Sequence, residues 1–140
     1  MDVKLTVHKG DMKLSPETFK LALHRGLTRA MLYAEAESKK RFNTAGNLHV
    51  RSGRLRASIK GTAKGMIGSL GTNVVYGAIH EYGGTITAKR VQYLKFKING
   101  RWRSAKQVII PPRPFLMPAI EGNKVKLMDI IKAEILGAFE

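Results

Sequence analysis

Four of the chain's five prolines lie close together in the segment IPPRPFLMPAI, residues 110–120. A proline fixes its own φ angle, and it disfavours the helical conformation for the residue before it. We therefore predict a stiff, extended segment here, with Pro118 in the first turn of a helix that follows. Such a segment would suit a structural connector and a docking arm equally well.

A long helix is predicted near the amino terminus. Residues 3–7, VKLTV, alternate apolar and polar side chains and indicate a short strand. Ser15 can cap a helix that begins at Pro16, and apolar side chains then recur every three or four residues from Phe19 onward. This helix is predicted to run to about Arg41.

The next segments predict a loop, a hairpin and a helical turn. Residues 42–56 lose the periodicity and are predicted to form a mobile loop. Residues 55–72 have the pattern of a hairpin that turns near Gly65. Residues 74–82, VVYGAIHEY, carry apolar and aromatic side chains three apart, which favours a short helical turn over a strand.

A second, extended hairpin is predicted at about residues 85–108, with the turn at Asn99-Gly100. A three-residue loop would place Phe96 opposite Trp102, whereas a two-residue loop would place Lys97 there. We favour the three-residue loop, because it keeps the two large rings together on one face.

These elements predict one α+β domain over residues 1–140. The fold is an antiparallel sheet with a long N-terminal helix and a C-terminal helix packed on it. The apolar stripe predicted for the C-terminal helix consists of Leu127, Met128, Ile131, Ile135, Ala138 and Phe139.

Charge is the strongest signal in the composition. The net charge is +15, and residues 38–120 contain sixteen Lys or Arg against one acidic residue, Glu81. Such a segment favours an anionic neighbour, whether nucleic acid, a membrane surface or an acidic protein face. No apolar run is long enough to cross a bilayer, and the amino terminus lacks the layout of a signal peptide, so we expect a soluble, unexported protein without a membrane partner.

No catalytic, metal or cofactor site is predicted. The chain has no cysteine, and its four histidines, at positions 8, 24, 49 and 80, lack the spacing of metal ligands. Glycines 65, 68 and 71 match no phosphate-binding motif, and the acidic residues form no obvious catalytic pair. We expect a protein that is not an enzyme.

Three segments carry candidate contact residues. In the second hairpin, DNA or an acidic surface could contact five residues, Lys95, Lys97, Arg101, Trp102 and Arg103. Its basic face could equally be a solvated one that keeps an exposed strand from aggregating, and we favour this simpler interpretation. In the segment RSGRLRASI, Arg51, Arg54 and Arg56 could bind phosphates or acidic side chains, or they could be solvated. VYGAIHEYGG offers Tyr76, His80, Glu81 and Tyr82 to a subunit interface, with core packing as the alternative.

Three segments in a fixed order resemble a known family. They are RSGRLRASI at residues 51–59, GTNVVYGAIHEYGGTI at 71–86 and IPPRPFLMPAI at 110–120. In order and spacing they resemble the tail-completion, or neck, proteins of tailed bacteriophages, also described as tail components or virion morphogenesis proteins. The resemblance runs from about residue 51 to the carboxyl terminus. Gly77 departs from the family pattern, which commonly has alanine there.

The resemblance implies a structural virion protein, assembled in the host cytoplasm, that forms a ring at the phage neck, hexameric by resemblance. The ring would complete or cap the tail and join it to the head, with the tail tube protein and a head connector or head-completion protein as neighbours and DNA passing through. Arg113 and Phe115 would brace the last helix, Phe115 as an apolar anchor for a partner and Arg113 as a paired charge at its rim. The alternative function is that of a small basic nucleic-acid-binding protein.

Overall fold

The computed structural model describes residues 1–6, 15–43, 53–89, 92–98 and 100–138, with the backbone alone at residues 6, 94 and 96–98. The α+β class predicted from the sequence is confirmed. The helices are α1 (Pro16–Lys40), α2 (Arg54–Ser58), α3 (Gly77–Tyr82), α4 (Met117–Glu121) and α5 (Lys124–Gly137). The strands are β1 (Asp2–Thr6), β2 (Lys60–Lys64), β3 (Ile67–Gly71), β4 (Gly84–Thr87), β5 (Leu94–Ile98), β6 (Arg101–Ala105) and β7 (Gln107–Ile110).

Helix α1 begins and ends as its sequence predicts. The Ser15 side-chain oxygen accepts a hydrogen bond from the Thr18 backbone N–H at 3.2 Å, and Pro16 occupies the first helical position. Lys39 and Lys40 lie in the last turn, where cations complement the helix dipole. The apolar stripe is buried along almost the whole helix, so α1 forms the centre of the fold.

The main sheet has three antiparallel strands in the order β1-β3-β2. The β2–β3 hairpin turns at Gly65, whose φ is +59°, as predicted. Residues 54–58 form helix α2, although they were predicted to lie in the mobile loop and the first hairpin strand. Gly53 precedes this helix at φ +79°, and its carbonyl accepts a hydrogen bond from the Ala57 N–H at 2.9 Å. Residues 44–52 of the predicted loop lie outside the described part.

Glycines let the layers approach closely. A side chain at Gly61 in β2 would overlap the backbone carbonyl of Met31, and one at Gly68 in β3 would lie 2.8 Å from the Met31 Cγ. Helix α5 packs against α1 itself, where a side chain at Gly26 would lie 3.0 Å from the Cα of Ile131. Helix α1 therefore contacts the sheet and α5, and the core runs continuously through all three.

The carboxyl-terminal part forms two helices, whereas one was predicted. The chain leaves α4 at Gly122, and the Asn123 side-chain amide donates to the Ala119 carbonyl at 3.0 Å. Gly and Asn are both poor residues for a helix interior, which explains the break. Leu127, Ile131 and Ile135 are buried as predicted, and Phe139 lies outside the described residues.

The remaining four strands form two separate antiparallel ladders, β4–β7 and β5–β6. Lys97 pairs with Trp102 and Ile98 with Arg101, so our preferred three-residue loop is wrong and the two-residue loop is right. Asn-Gly favours a two-residue turn whose twist matches the flanking strands, and Gly100 has a φ of +78°. This local preference outweighs the pairing of the two rings.

Among the residues that the structure describes, none of the helices combines the length and apolar character that crossing a membrane requires.

Candidate functional site: a hairpin arm and its clamp

Glu81, in helix α3, is a buried carboxylate that binds three consecutive backbone N–H groups. Its Oε2 accepts from Phe115 at 2.7 Å and from Leu116 at 3.0 Å, and its Oε1 accepts from Met117 at 2.8 Å. The side chain is only 3% exposed. These N–H groups lie at the start of α4, where the helix cannot satisfy them itself. Glu81 therefore fixes residues 111–116, which we call the proline segment, onto α3.

Three further hydrogen bonds hold the same segment. The Arg113 N–H donates to the His80 carbonyl at 2.8 Å, and the buried Ser38 hydroxyl donates to the Phe115 carbonyl at 2.6 Å. The Arg41 Nε donates to the Pro114 carbonyl at 3.3 Å. We call these bonds, together with those of Glu81, the clamp. Because the prolines hold the chain extended, its polar groups cannot pair within the segment, and the clamp supplies partners from α1 and α3.

Apolar packing of Phe115 holds the proline segment in addition to the clamp. Its ring packs edge-to-face on Phe42, with the ring centroids 5.7 Å apart, and its side chain is 1% exposed. Phe42 follows directly on the end of α1. The proline segment is thus a connector whose one large side chain enters the core.

The clamp closes the base of an arm, which we define as strands β4, β5, β6 and β7 with their connections, residues 84–110. The chain enters the arm after α3 and leaves it into the proline segment, and the clamp joins these two ends. Gly83 lies at φ +72°, and a side chain there would meet the Pro112 nitrogen at 2.8 Å. The two ends of the arm are held in contact by close packing as well as by hydrogen bonds.

Within the described residues, the arm forms ladders only with itself. β4 pairs with β7 and β5 pairs with β6. The Ala88 N–H donates to the Lys106 carbonyl at 2.7 Å, one residue pair beyond the end of the β4–β7 ladder. All four residues of β4 are exposed. Ile109 is 72% exposed and Trp102 is 69% exposed.

The β5–β6 ladder, which we call the ribbon, has cationic positions on both faces. Lys95 pairs with Ser104, two positions along from Trp102, so Lys95 and Trp102 share one face. Arg101 and Arg103 alternate with Trp102 along β6 and belong to the other face. Their side chains are exposed, as is that of Lys95. For Lys97 the structure gives only the backbone position, opposite Trp102.

Two residues predicted to lie at a partner surface belong to the interior instead. Phe115 was expected to be an apolar anchor for a partner, but it packs in the chain's own core. Glu81 was expected at a subunit interface, but its carboxylate is used by the clamp. Glu81 is the only acidic residue in residues 38–120, and a lone acid in such a basic stretch could have indicated an internal role.

The other candidate residues are near the surface and lie in two groups. Tyr76 and Tyr82 are exposed at the ends of α3, and the Tyr76 and His80 rings lie edge-to-face at 5.9 Å. Arg113 is exposed beside them. The second group is at the end of α1, where the Arg56 Nε donates to the Lys39 carbonyl at 3.2 Å. Arg54 is exposed nearby in α2, and Arg51 lies outside the described residues.

The described residues offer no group of three or more His, Asp or Glu side chains that could hold a metal ion. Every buried polar side-chain atom among them has a hydrogen-bond partner. The distinctive features of the described chain are thus a clamp whose polar groups are hydrogen-bonded and an arm that is exposed to solvent.

The comparison with protein families gives a match over residues 29–135, from within α1 to within the last turn of α5, and so includes the clamp and the arm. The chain belongs to the phage virion morphogenesis family. The resemblance recognised in the sequence is therefore confirmed. No curated protein and no solved structure matches the chain.

Membership of the phage virion morphogenesis family makes the chain a structural protein of the phage virion. The matched region includes both the clamp and the arm. The clamp stabilises the fold, because its polar groups form their hydrogen bonds within the chain. The arm combines exposed cationic side chains with the exposed Ile109 and Trp102.

Proposed function

We propose that the protein assembles with further copies of itself into a ring at the virion neck, where it completes the tail and joins it to the head. The observation that carries this proposal is the arm, which is anchored firmly at its base and pairs with no other strand among the described residues. A two-stranded hairpin is only marginally stable in water. It gains stability when a neighbour covers it.

The β4–β7 ladder has the surface that such a neighbour would need. Within the described part of the chain each of its strands has one unpaired edge, and open edges readily accept contacts from another chain. Ile109 pairs with Thr85 and is 72% exposed. Burying it on assembly would stabilise the contact by roughly 2 kcal/mol, at about 25 cal/mol per Å² of apolar surface.

A ring follows if the arm of one copy meets a different surface on the next copy. Such head-to-tail contacts close into a ring when the rotation between copies permits it. The family resemblance favours six copies, with the tail tube protein on one side and a head connector or head-completion protein on the other. The exposed Tyr76, Tyr82 and Arg113 beside the base of the arm are candidates for the contact between copies. The proposed mechanism is binding alone, without a catalytic step.

The test compares two aspartate substitutions at equally exposed apolar positions. Ile109→Asp changes the arm at 72% exposure, and the matched control Val125→Asp changes α5 at 77% exposure. Analytical ultracentrifugation should find a closed oligomer for the unchanged protein and for Val125→Asp, and monomers for Ile109→Asp. Circular dichroism checks that both variants are folded.

The same two variants test the site of action in the virion. When only Ile109→Asp protein is supplied to a phage lacking its own copy, electron microscopy should show filled heads separate from tails, or tails of abnormal length. Val125→Asp should give joined particles. Normal infectious particles with Ile109→Asp, together with an unchanged oligomer, would exclude the arm as the assembly contact.

A further inference from the structure

We propose that the β5–β6 ribbon binds the phosphate backbone of duplex DNA. This contact is distinct from the assembly surface on β4–β7, and it does not depend on the existence of a ring. The argument combines the charge of the arm, the shape of the ribbon and the position of its cations.

The arm has strong positive charge and no compensating negative charge. Residues 84–110 contain seven Lys or Arg and no Asp or Glu. The ion pairs that the structure describes all lie on α1, α4 and α5, away from the arm. A concentration of cations without local acids attracts polyanions and raises their rate of association.

The shape of the ribbon suits a groove of duplex DNA. The major groove is about 12 Å wide and admits a two-stranded β-ribbon. A ribbon that enters the groove edge first has a phosphate backbone opposite each face, and the chain offers cations on both faces, with Lys95 on one and Arg101 and Arg103 on the other. Five-residue strands span about 17 Å, which is sufficient to follow several phosphates.

The other polyanions fit this pattern less well. An acidic protein surface would cover one face of the ribbon and leave the opposite cations in solvent. Single-stranded DNA is usually bound on a row of aromatic rings. In the ribbon, Phe96 pairs with Arg103 and Trp102 pairs with Lys97, so the two aromatic positions belong to opposite faces and form no row. Duplex DNA is the partner that uses cations on both faces.

The chain provides its own probe for this contact. Trp102 is the only tryptophan in the sequence, it lies on β6, and it is 69% exposed. A change in tryptophan fluorescence on addition of DNA therefore reports on the ribbon itself. Binding anywhere else on the basic surface would leave this signal unchanged.

The experiment titrates the full chain with a fluorescein-labelled duplex of about 16 base pairs and follows both fluorescein anisotropy and tryptophan emission. If Lys95, Arg101 and Arg103 each neutralise one phosphate, the logarithm of the binding constant should fall with the logarithm of salt concentration with a slope of about −2.7. Affinity would then decrease about 40-fold between 50 mM and 200 mM salt. Lys95→Gln and Arg103→Gln should each reduce the magnitude of the slope by about 0.9.

Lys20→Gln and Lys132→Gln are matched controls, since they remove the same charge from exposed positions on α1 and α5. Both should leave the slope and the fluorescence change as in the unchanged protein. Equal effects of the ribbon and helix variants would mean that net charge alone binds DNA, and would overturn the proposal. DNA binding without a change in Trp102 emission would overturn it as well. Tighter binding of single strands or of polyglutamate than of duplex, at equal charge concentration, would assign the ribbon to a different partner.

Discussion

Replacing Glu81 with glutamine keeps the size of the side chain and removes the charge that the clamp uses. Oε2 accepts two backbone N–H groups and Oε1 accepts a third, all between 2.7 and 3.0 Å. A glutamine has one oxygen, and its NH₂ group must face at least one of the three donors. That donor then loses its partner within the protein.

The expected loss of stability follows from these contacts. An unpaired buried donor costs about 1–3 kcal/mol, and each retained bond weakens by about 1 kcal/mol when its acceptor becomes neutral. Relief of the desolvation of a buried charge offsets part of this cost. We expect Glu81→Gln to lower the free energy of unfolding by about 3 kcal/mol. For 140 residues this corresponds to a decrease of about 10 °C in Tm.

The assay is urea unfolding monitored by far-ultraviolet circular dichroism, which reports on the helices. Trp102 fluorescence is unsuitable here, since it reports on the arm. Glu121→Gln is the control: its side chain is 59% exposed, and its only described ion pair, with Lys124, spans 4.0 Å. It should change stability by less than about 0.5 kcal/mol. Equal midpoints for the two variants, with unchanged m-values, would refute a structural role for the clamp.

Three other substitutions test the packing around the clamp and the sheet. Gly61→Ala would overlap the Met31 carbonyl and should cost more than about 3 kcal/mol in chemical unfolding, whereas Gly137→Ala meets no atom within 4 Å and should not destabilise the fold. Phe115→Ala should cost about 3–5 kcal/mol, and a smaller loss would indicate that the ring is not a core residue. Ser38→Ala leaves the buried Phe115 carbonyl unpaired and should cost about 1–3 kcal/mol, measured by the same method.

The sequence was sufficient where local rules decide the structure. The cap at Ser15, the apolar stripe of α1 and the turn at Gly65 each depend on residues that are neighbours in the chain, and each was predicted correctly. The error in the ribbon register has the same origin. Two local rules competed there, and the turn preference of Asn-Gly outweighed the attraction between rings.

The clamp could not be predicted, because it joins residues that are far apart in the sequence. Glu81 lies 34 residues from Phe115, and Ser38 lies 77 residues from it. No periodicity or motif reports such a pairing. The prolines predicted an extended segment, and residues 111–114 belong to no helix, but whether Phe115 enters the core or meets a partner depends on where α1 ends and on Phe42.

The clamp also determines how the arm can act. Gly83 and Pro112, which flank the arm, pack against each other, and the buried Glu81 binds the chain just beyond Pro112, so the direction of the arm is set by the core. A rigidly directed arm loses little entropy when it binds, which favours assembly and DNA contact alike. Glu81→Gln should therefore weaken oligomerisation and duplex binding at temperatures where the helices are still folded, with no change to any residue on the arm. Unchanged affinities for both partners in that range would show that the arm holds its direction without the clamp.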